Sequence, residues 1–374
     1  MKGIFLEFNS ILKNRWKAVL LLLVPLMITI YFDLLFQQGT VQQIRTVIVD
    51  QDQSSLSRGL TQEFANQDIF RIVQYSNNLS EAEEAIKKET ADFIVYVPPK
   101  FNQDLKEGRS VACTVIADTS NMAVSSTALK AASQIVLGYN AMAQVSILEG
   151  KGYSKKESLN LAMPITFEHL QLANPSGNYP DFLIWGLIGA TGHFPLMLLS
   201  ASALKDADEK SKWTTVLQKI FVYAFLCFCE LTCCFLVTVG FFPVTFTCSI
   251  VYVLLLNIFF ALAAASFGVF LSAVIPSPFV ATELSVIIAL PALVISGFTW
   301  PISKFPWHIQ ILGWAEPLTY YVNPLREVLL NSVPTPYFWN CLLVLGSMFM
   351  GFTLTSSLVF GRKVRKWQKQ ALAA

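Results

Sequence analysis

The sequence predicts an α-helical polytopic membrane protein with six transmembrane helices, re-entrant outer helices, and a mixed α/β domain between spans one and two. Three observations predict it. The 374 residues are 54% hydrophobic and only 14% charged, against about 25% charged in a typical soluble domain, and the mean hydropathy is +0.51. Six apolar stretches, 16–36, 180–203, 216–240, 248–274, 280–299 and 337–360, approach or exceed the ~20 residues a spanning helix needs. Residues 37–179 hold no such run and alternate strand and helix patterns instead.

The first span follows the basic "KNRWK" but lacks a small-residue cleavage site, the pattern of a retained anchor rather than a removable signal. Lys2, Lys13, Arg15 and Lys17 precede it. Lys205, Lys210, Lys212 and Lys219 surround the connection between the second and third spans, and Arg362, Lys363, Arg365, Lys366 and Lys369 follow the last. The other short connections carry only Lys304 and Arg326. Basic flanks stay cytoplasmic, so both termini are expected in the cytoplasm and residues 37–179 outside it. The expected division is 1–36, 37–179 and a five-span core, 180–374, with a re-entrant segment at 300–336 and a basic tail.

Within 37–179, "VIVD", "FRIVQY", "ADFIVYV" and "VACTVIAD" read as strands. Leu56, Leu60 and Phe64 make one face of a helix, and "SEAEEAIKK" makes another. Leu129, Ala132, Val136, Tyr139 and Ala143 keep a three-four spacing that Gly150 ends. "SKKE" at 154–157 is a capping-box pattern, and "TFEHLQLANP" reads as a return strand.

Enzymatic chemistry has no foothold. No G-x-x-x-x-G-K-[ST] phosphate loop occurs, no G-x-S-x-G turn, and His169, His193 and His308 are not at metal-ligand spacing. No metal and no cofactor is expected in this chain. A net charge of +2 without a basic stripe excludes nucleic acid as a partner. Cys227, Cys229, Cys233, Cys234, Cys248 and Cys341 lie in apolar runs, where thiols act as small hydrophobes. Cys113 alone lies in the polar region, which therefore cannot close a disulfide of its own. Asn78-Leu79-Ser80 is a glycosylation sequon of little weight.

The spans hold two unusual polar residues. Glu230 sits mid-way along the third, where a charged carboxylate costs about 2.5–3.5 kcal/mol; it is either a point on a substrate or proton path, or a protonated group joining helices. His193 in "GATGHFPLM" has the same two roles open, leaning to structure because Pro195 frees backbone groups beside it. Glu283 fits a side chain snorkelling to the interface.

Residues 296–330, "SGFTWPISKFPWHIQILGWAEPLTYYVNPLREVLL", are too polar and proline-rich to span. Trp300, Trp307, Trp314, Tyr320 and Tyr321 read as an interfacial aromatic belt on broken helices that dip into the membrane under protein shelter. This segment resembles the signature of the ABC-2 type transporter permeases: "SGF", Pro301, Pro306, Pro317 to Tyr321 with Tyr320 inside it, and Arg326. "IVDQDQSSLSR" at 48–58, "FIVYVPPKFNQDLKEGR" at 93–109 and "ADTSN" at 117–121 are similar to the long-external-loop branch of that family. The resemblance covers nearly the whole chain in order.

It implies a half-transporter in a bacterial cell membrane. A second permease chain, the same or homologous, would pair with this one. Cytoplasmic ABC ATPase subunits would bind the ATP and Mg, and in some members a periplasmic adaptor protein takes part. The loop after the second span would contact the ATPase, placing Asp208, Glu209, Lys210 and Trp213 in "LKDADEKSKWTTVLQ" (204–218). Lys210, Ser211 and Lys212 depart from the family's usual x-G-T there; this is either drift in a solvated loop or a sign that a different permease carries the fuller pattern. The expected function is export of an amphipathic or drug-like substrate, along a path including Glu230 and His193 and bordered by membrane lipid. Two rivals remain. A proton-coupled carrier would use Glu230, but the spans show no inverted repeat and no other cluster of carboxylates. A ligand-binding sensor or scaffold would need an output domain, where "GRKVRKWQKQALAA" offers only a basic anchor.

Overall fold

The computed structural model describes residues 2–36, 41–163, 179–205, 214–242, 248–331 and 333–373. The chain forms two compact units, Met1–Gly39 with Gln171–Ala374, and Thr40–Leu170.

Helix α1 (Lys2–Lys13) opens the first unit. Then α2 (Arg15–Ala18), a π-helical turn (Val19–Leu23) and α3 (Val24–Leu35) run on as one apolar helix. The π turn comes immediately before Pro25, whose ring and missing N–H disturb the turn ahead of it.

The second unit runs β1 (Ile44–Asp50), α4 (Ser55–Ala65), β2 (Phe70–Ser76), α5 (Leu79–Lys87), β3 (Phe93–Val97), α6 (Phe101–Lys106), β4 (Thr114–Ala117), α7 (Met122–Gly150) and α8 (Lys155–Ala162). The sheet order is β2-β1-β3-β4. Strand β1 lies parallel to both β2 and β3, and β4 pairs antiparallel with β3. Central β1 is apolar on both faces because both are covered. Ile44 and Ile48 pack with Leu60, Phe64, Phe93 and the α7 alanines, while Val47 and Val49 meet Ala82 and Ala85 of α5.

The four strands expected between residues 47 and 118 are present. The expected helix at 80–88 starts at Leu79, where Asn78 accepts the Ser80 amide; the sequon asparagine is thus a helix cap. The capping box forms between Ser154 and Glu157 in both directions. Tyr139 donates to the Leu56 carbonyl at 2.7 Å, fastening α7 to α4. Leu129 is a correction: it is exposed, and Ser125, Ala128, Ala131 and Ala132 form the buried face. Small side chains let α7 sit close, which an apolar count by size overlooks. The expected strand at 166–175 lies outside the described residues.

The first unit resumes with α9 (Tyr179–Ser200), α10 (Thr214–Phe241), α11 (Ile250–Val274), α12 (Pro278–Ala289), α13 (Ala292–Ile295), α14 (Trp307–Ala315), α15 (Thr319–Asn331) and α16 (Pro336–Ala373). Among the described residues five helices are long and apolar enough to cross a membrane: Arg15–Leu35, Phe182–Ser200, Thr214–Phe241, Ile250–Val274 and Pro336–Lys366. The expected fifth span, 280–299, is not continuous. Helix α12 stops after 12 residues and α13 restarts for a single turn behind Pro291, since proline cannot continue the backbone ladder.

Helix α11 packs along α16, with Phe267 and Phe270 on Phe352 at centroid distances of 4.8 and 5.3 Å. Lys363 of α16 donates to the Ala273 carbonyl at the end of α11 (2.6 Å), a cation on orphaned helix carbonyls. Lys219 of α10 meets Glu7 of α1 at 2.7 Å.

Segment 296–330 folds as two short helices, as its prolines suggest. Pro306 precedes α14, and Pro301 a 3-10 turn. Thr319 donates to the Gly313 carbonyl (2.6 Å) and Tyr320 to that of Trp314 (2.9 Å), either side of Pro317. Trp300, Trp307 and Trp314 are exposed, as a belt requires, but Tyr321 is buried. Its place in the belt is corrected: Tyr321 is core.

Candidate functional site

Inside the first unit, α9, α10, α11 and the approach to α15 bring polar side chains together in otherwise apolar packing. Asn257 of α11 is the hub. Its Oδ1 accepts from the Tyr321 hydroxyl at 2.8 Å, and its Nδ2 donates to Thr232 Oγ1 of α10 at 3.2 Å. The Tyr321 ring stacks on Phe260 with centroids 4.3 Å apart, and the His193 ring lies 5.8 Å from Phe260.

His193 meets a partner that no local pattern singles out. Its Nε2 lies 3.0 Å from Glu316 Oε1, with both side chains buried. The approach is within ion-pair range but badly aimed, and neither ring nitrogen makes a directed hydrogen bond. His193 therefore answers a side chain rather than backbone freed by Pro195.

Glu230 is also buried. Its Oε1 accepts from Cys234 Sγ at 3.2 Å, one turn along α10. The carboxyl lies against α9: a Cβ on Gly192 would come within 2.5 Å of Glu230 Oε2. Any larger residue at 192 would push this carboxyl aside, and Glu230 thus sits beside the residue preceding His193. Further along the same face of α10, Thr238 donates to Asp33 Oδ2 of α3 at 2.7 Å, while Asp33 Oδ1 is buried without a partner.

Asp33, Glu230 and Glu316 are all buried in this unit. Asp33 and Asn257 were visible as polar breaks in apolar runs, and Glu316 as an acid beside Pro317; their pairing is tertiary and has no sequence signature.

Other expected residues fall elsewhere. Pro301, Pro306, Pro317, Tyr320 and Arg326 belong to the two-helix segment, and Glu283 is exposed. Asp208, Glu209, Lys210 and Trp213 lie outside the described residues. Among the described residues no group of three or more His, Cys, Asp or Glu could hold a metal.

A protein-family model described as "ABC-2 family transporter protein" matches residues 16–357. The chain is similar to "Probable multidrug ABC transporter permease YbhR" of Escherichia coli (strain K12), 21% identical over 347 residues, covering 90% of this chain and 91% of that one. It is also similar to "ABC transporter G family member 20" of Dictyostelium discoideum, 23% identical over 390 residues, which cover 96% of this chain and 50% of that one. "Probable multidrug ABC transporter permease YbhS" of Escherichia coli (strain K12) is 27% identical over 151 residues, 39% of this chain and 40% of that one.

Proposed function

Because the chain belongs to the ABC-2 family of transporter proteins and is a membrane permease subunit of an ABC transporter, we propose that it exports an amphipathic, drug-like substrate from the cytoplasm or inner leaflet. The observation that carries this reading is one match running through both the α/β unit and the helical unit, to a relative whose name specifies multidrug transport.

In this reading the chain sits in a bacterial cell membrane with both termini in the cytoplasm. Helices α12 and α13 together serve as the fifth of six crossings, α14 and α15 are re-entrant, and residues 37–179 receive the outgoing substrate. ATP and Mg bind a separate ATPase subunit, which pushes on 204–218 through Asp208, Glu209, Lys210 and Trp213. A second permease completes the pair, and a periplasmic adaptor extends the route in the long-loop branch. Glu230 and His193 supply polar points on a path through an apolar bundle.

The test is ATP-driven accumulation of a fluorescent lipophilic amine in inverted membrane vesicles holding this chain with its ATPase and any companion permease. Uptake that needs ATP and disappears when the chain is omitted supports export. No ATP-dependent uptake of any amphipathic probe overturns it. The buried Asp33, Glu230 and Glu316 favour one second reading, a proton-coupled carrier, which the same vesicles expose as uptake driven by a proton gradient without ATP.

A further inference from the structure

Arg326 of α15 is a half-buried cation set against aromatic rings. Its guanidinium carbon lies 4.8 Å from the Phe182 ring centroid and 4.9 Å from that of Phe298. The two rings stack on one another at 5.1 Å. Phe298 is fixed in turn, since a Cβ on Gly186 would meet its ring at 2.2 Å. Nη1 donates to the Phe298 carbonyl at 3.2 Å, which uses one of the five N–H donors a guanidinium carries. Among the described residues no carboxylate makes an ion pair with it. Neighbouring Glu327 keeps Oε2 buried and without a hydrogen-bond partner.

An arginine stays charged in any protein setting. Two ring faces attract the cation but bring no opposite charge, and an uncompensated charge within a membrane is expensive. The same two-helix segment carries exposed Trp300, Trp307 and Trp314, residues that settle at headgroup level. Phosphodiesters are abundant there, and a guanidinium fork matches phosphate oxygens two at a time.

We propose that Arg326, held between Phe182 and Phe298, is a binding site for a phosphate group, supplied by the headgroup of a membrane phospholipid. The rings set the orientation of the fork, and the headgroup supplies the missing negative charge. A bound lipid would anchor the α14–α15 segment to the bilayer. The inference rests on the membrane setting of the chain and is independent of the direction of transport or its energy source.

Native mass spectrometry of the delipidated full chain in detergent provides the test. The probes are phosphatidylglycerol, diacylglycerol with the same acyl chains, and inorganic phosphate. Wild type should retain phosphatidylglycerol over diacylglycerol, and Arg326→Gln should weaken that retention about tenfold or more. Arg326→Lys, which keeps charge but loses the fork, should fall between them, and Phe182→Leu should weaken binding several-fold while the protein elutes normally. Equal retention of the two lipids by wild type, or unchanged retention by a folded Arg326→Gln, would overturn the proposal. Competition by millimolar inorganic phosphate would assign the site to the free anion and overturn the lipid assignment. Should Arg326→Gln not fold, undiminished retention in both Arg326→Lys and Phe182→Leu is the overturning result.

Discussion

His193 on α9 and Glu316, ahead of α15, approach to 3.0 Å with both side chains withdrawn from solvent. The pair joins a long span to the two-helix segment. Removing one member of such a pair leaves the other as an unsatisfied buried polar group, at a cost of about 1–3 kcal/mol. His193→Ala and Glu316→Ala should each lower the thermal midpoint of the purified chain by several degrees. The double variant should lose less than the sum, with a coupling of about 1–3 kcal/mol. Additive losses would mean that the two residues act separately.

Glu230 touches both Cys234 and the glycine before His193. Glu230→Gln preserves shape and hydrogen bonding, so it should assemble normally and reduce transport if the group lies on the path. Glu230→Leu should damage assembly as well. Gly192→Ala, which forces a 2.5 Å approach to the carboxyl, should destabilise by about 1–3 kcal/mol through overpacking. Unchanged vesicle uptake by Glu230→Gln, with failed assembly of Glu230→Leu, would assign the residue to structure alone.

In the α/β unit, Arg45 binds both oxygens of Asp92, Nε to Oδ2 at 2.9 Å and Nη2 to Oδ1 at 2.6 Å. These bonds hold the Asp92 carboxyl below its usual range. A depressed folded value means that the pair stabilises fully above the ordinary aspartate value of about 3.9. That contribution is lost as pH falls from there through the lower folded value. Asp92→Asn should therefore lower the thermal midpoint at neutral pH, and the gap to wild type should close in this acid window. Because the pair is part-exposed, added salt should also shrink the gap. A gap independent of pH would rule out the charge as its source.

Cys113 is a poor reporter of sidedness. It packs against the sheet core, and burial pushes its thiol up to about 11, which disfavours the reactive thiolate. Exposed Lys130 on α7 is the better site. Lys130→Cys in a chain otherwise free of reactive thiols should label with an impermeant maleimide in intact spheroplasts. Ser211→Cys should label only after permeabilisation. External labelling of Ser211→Cys would invert the proposed topology.

Trp213 is the proposed anchor for the ATPase. Aromatic hot spots contribute about 2 kcal/mol or more to an interface, so Trp213→Ala should reduce co-purification of the ATPase by an order of magnitude or more. Glu209→Lys should leave the complex intact but poorly stimulated by substrate. Normal recovery and stimulation in both variants would move the coupling role to a companion permease.

Much of the fold was legible because its signals are local. Val47 to Asp50 and Phe93 to Val97 announce strands through continuous apolar runs, and Ser154 with Glu157 announces a helix start. What failed were inferences from hydrophobicity without geometry. An apolar window over 280–299 does not register that Pro291 interrupts the helix. Leu129 looks more buried than Ala128, yet close packing of α7 favours the smaller side chain. Tyr321 was read by residue type as interfacial, but Asn257 offers its hydroxyl a buried partner. Of the candidate site, Glu230 and His193 were legible as polar residues in apolar runs. The pairings of Asp33 and Glu316 were not, because Thr238 and His193 lie far from them in sequence.

The interruption at Pro291 has a consequence for the surrounding lipid. Twelve helical residues in α12 and four in α13 rise about 18 and 6 Å, whereas the hydrocarbon layer is about 30 Å thick. Acyl chains beside α12 must shorten, or another protein surface must cover the deficit, at a cost that grows with each ångström of mismatch. A thinned annulus there would also shorten the oily barrier met by a molecule leaving one leaflet. The rate in reconstituted bilayers should then fall as lipid acyl chains are lengthened, with no change in the protein at all.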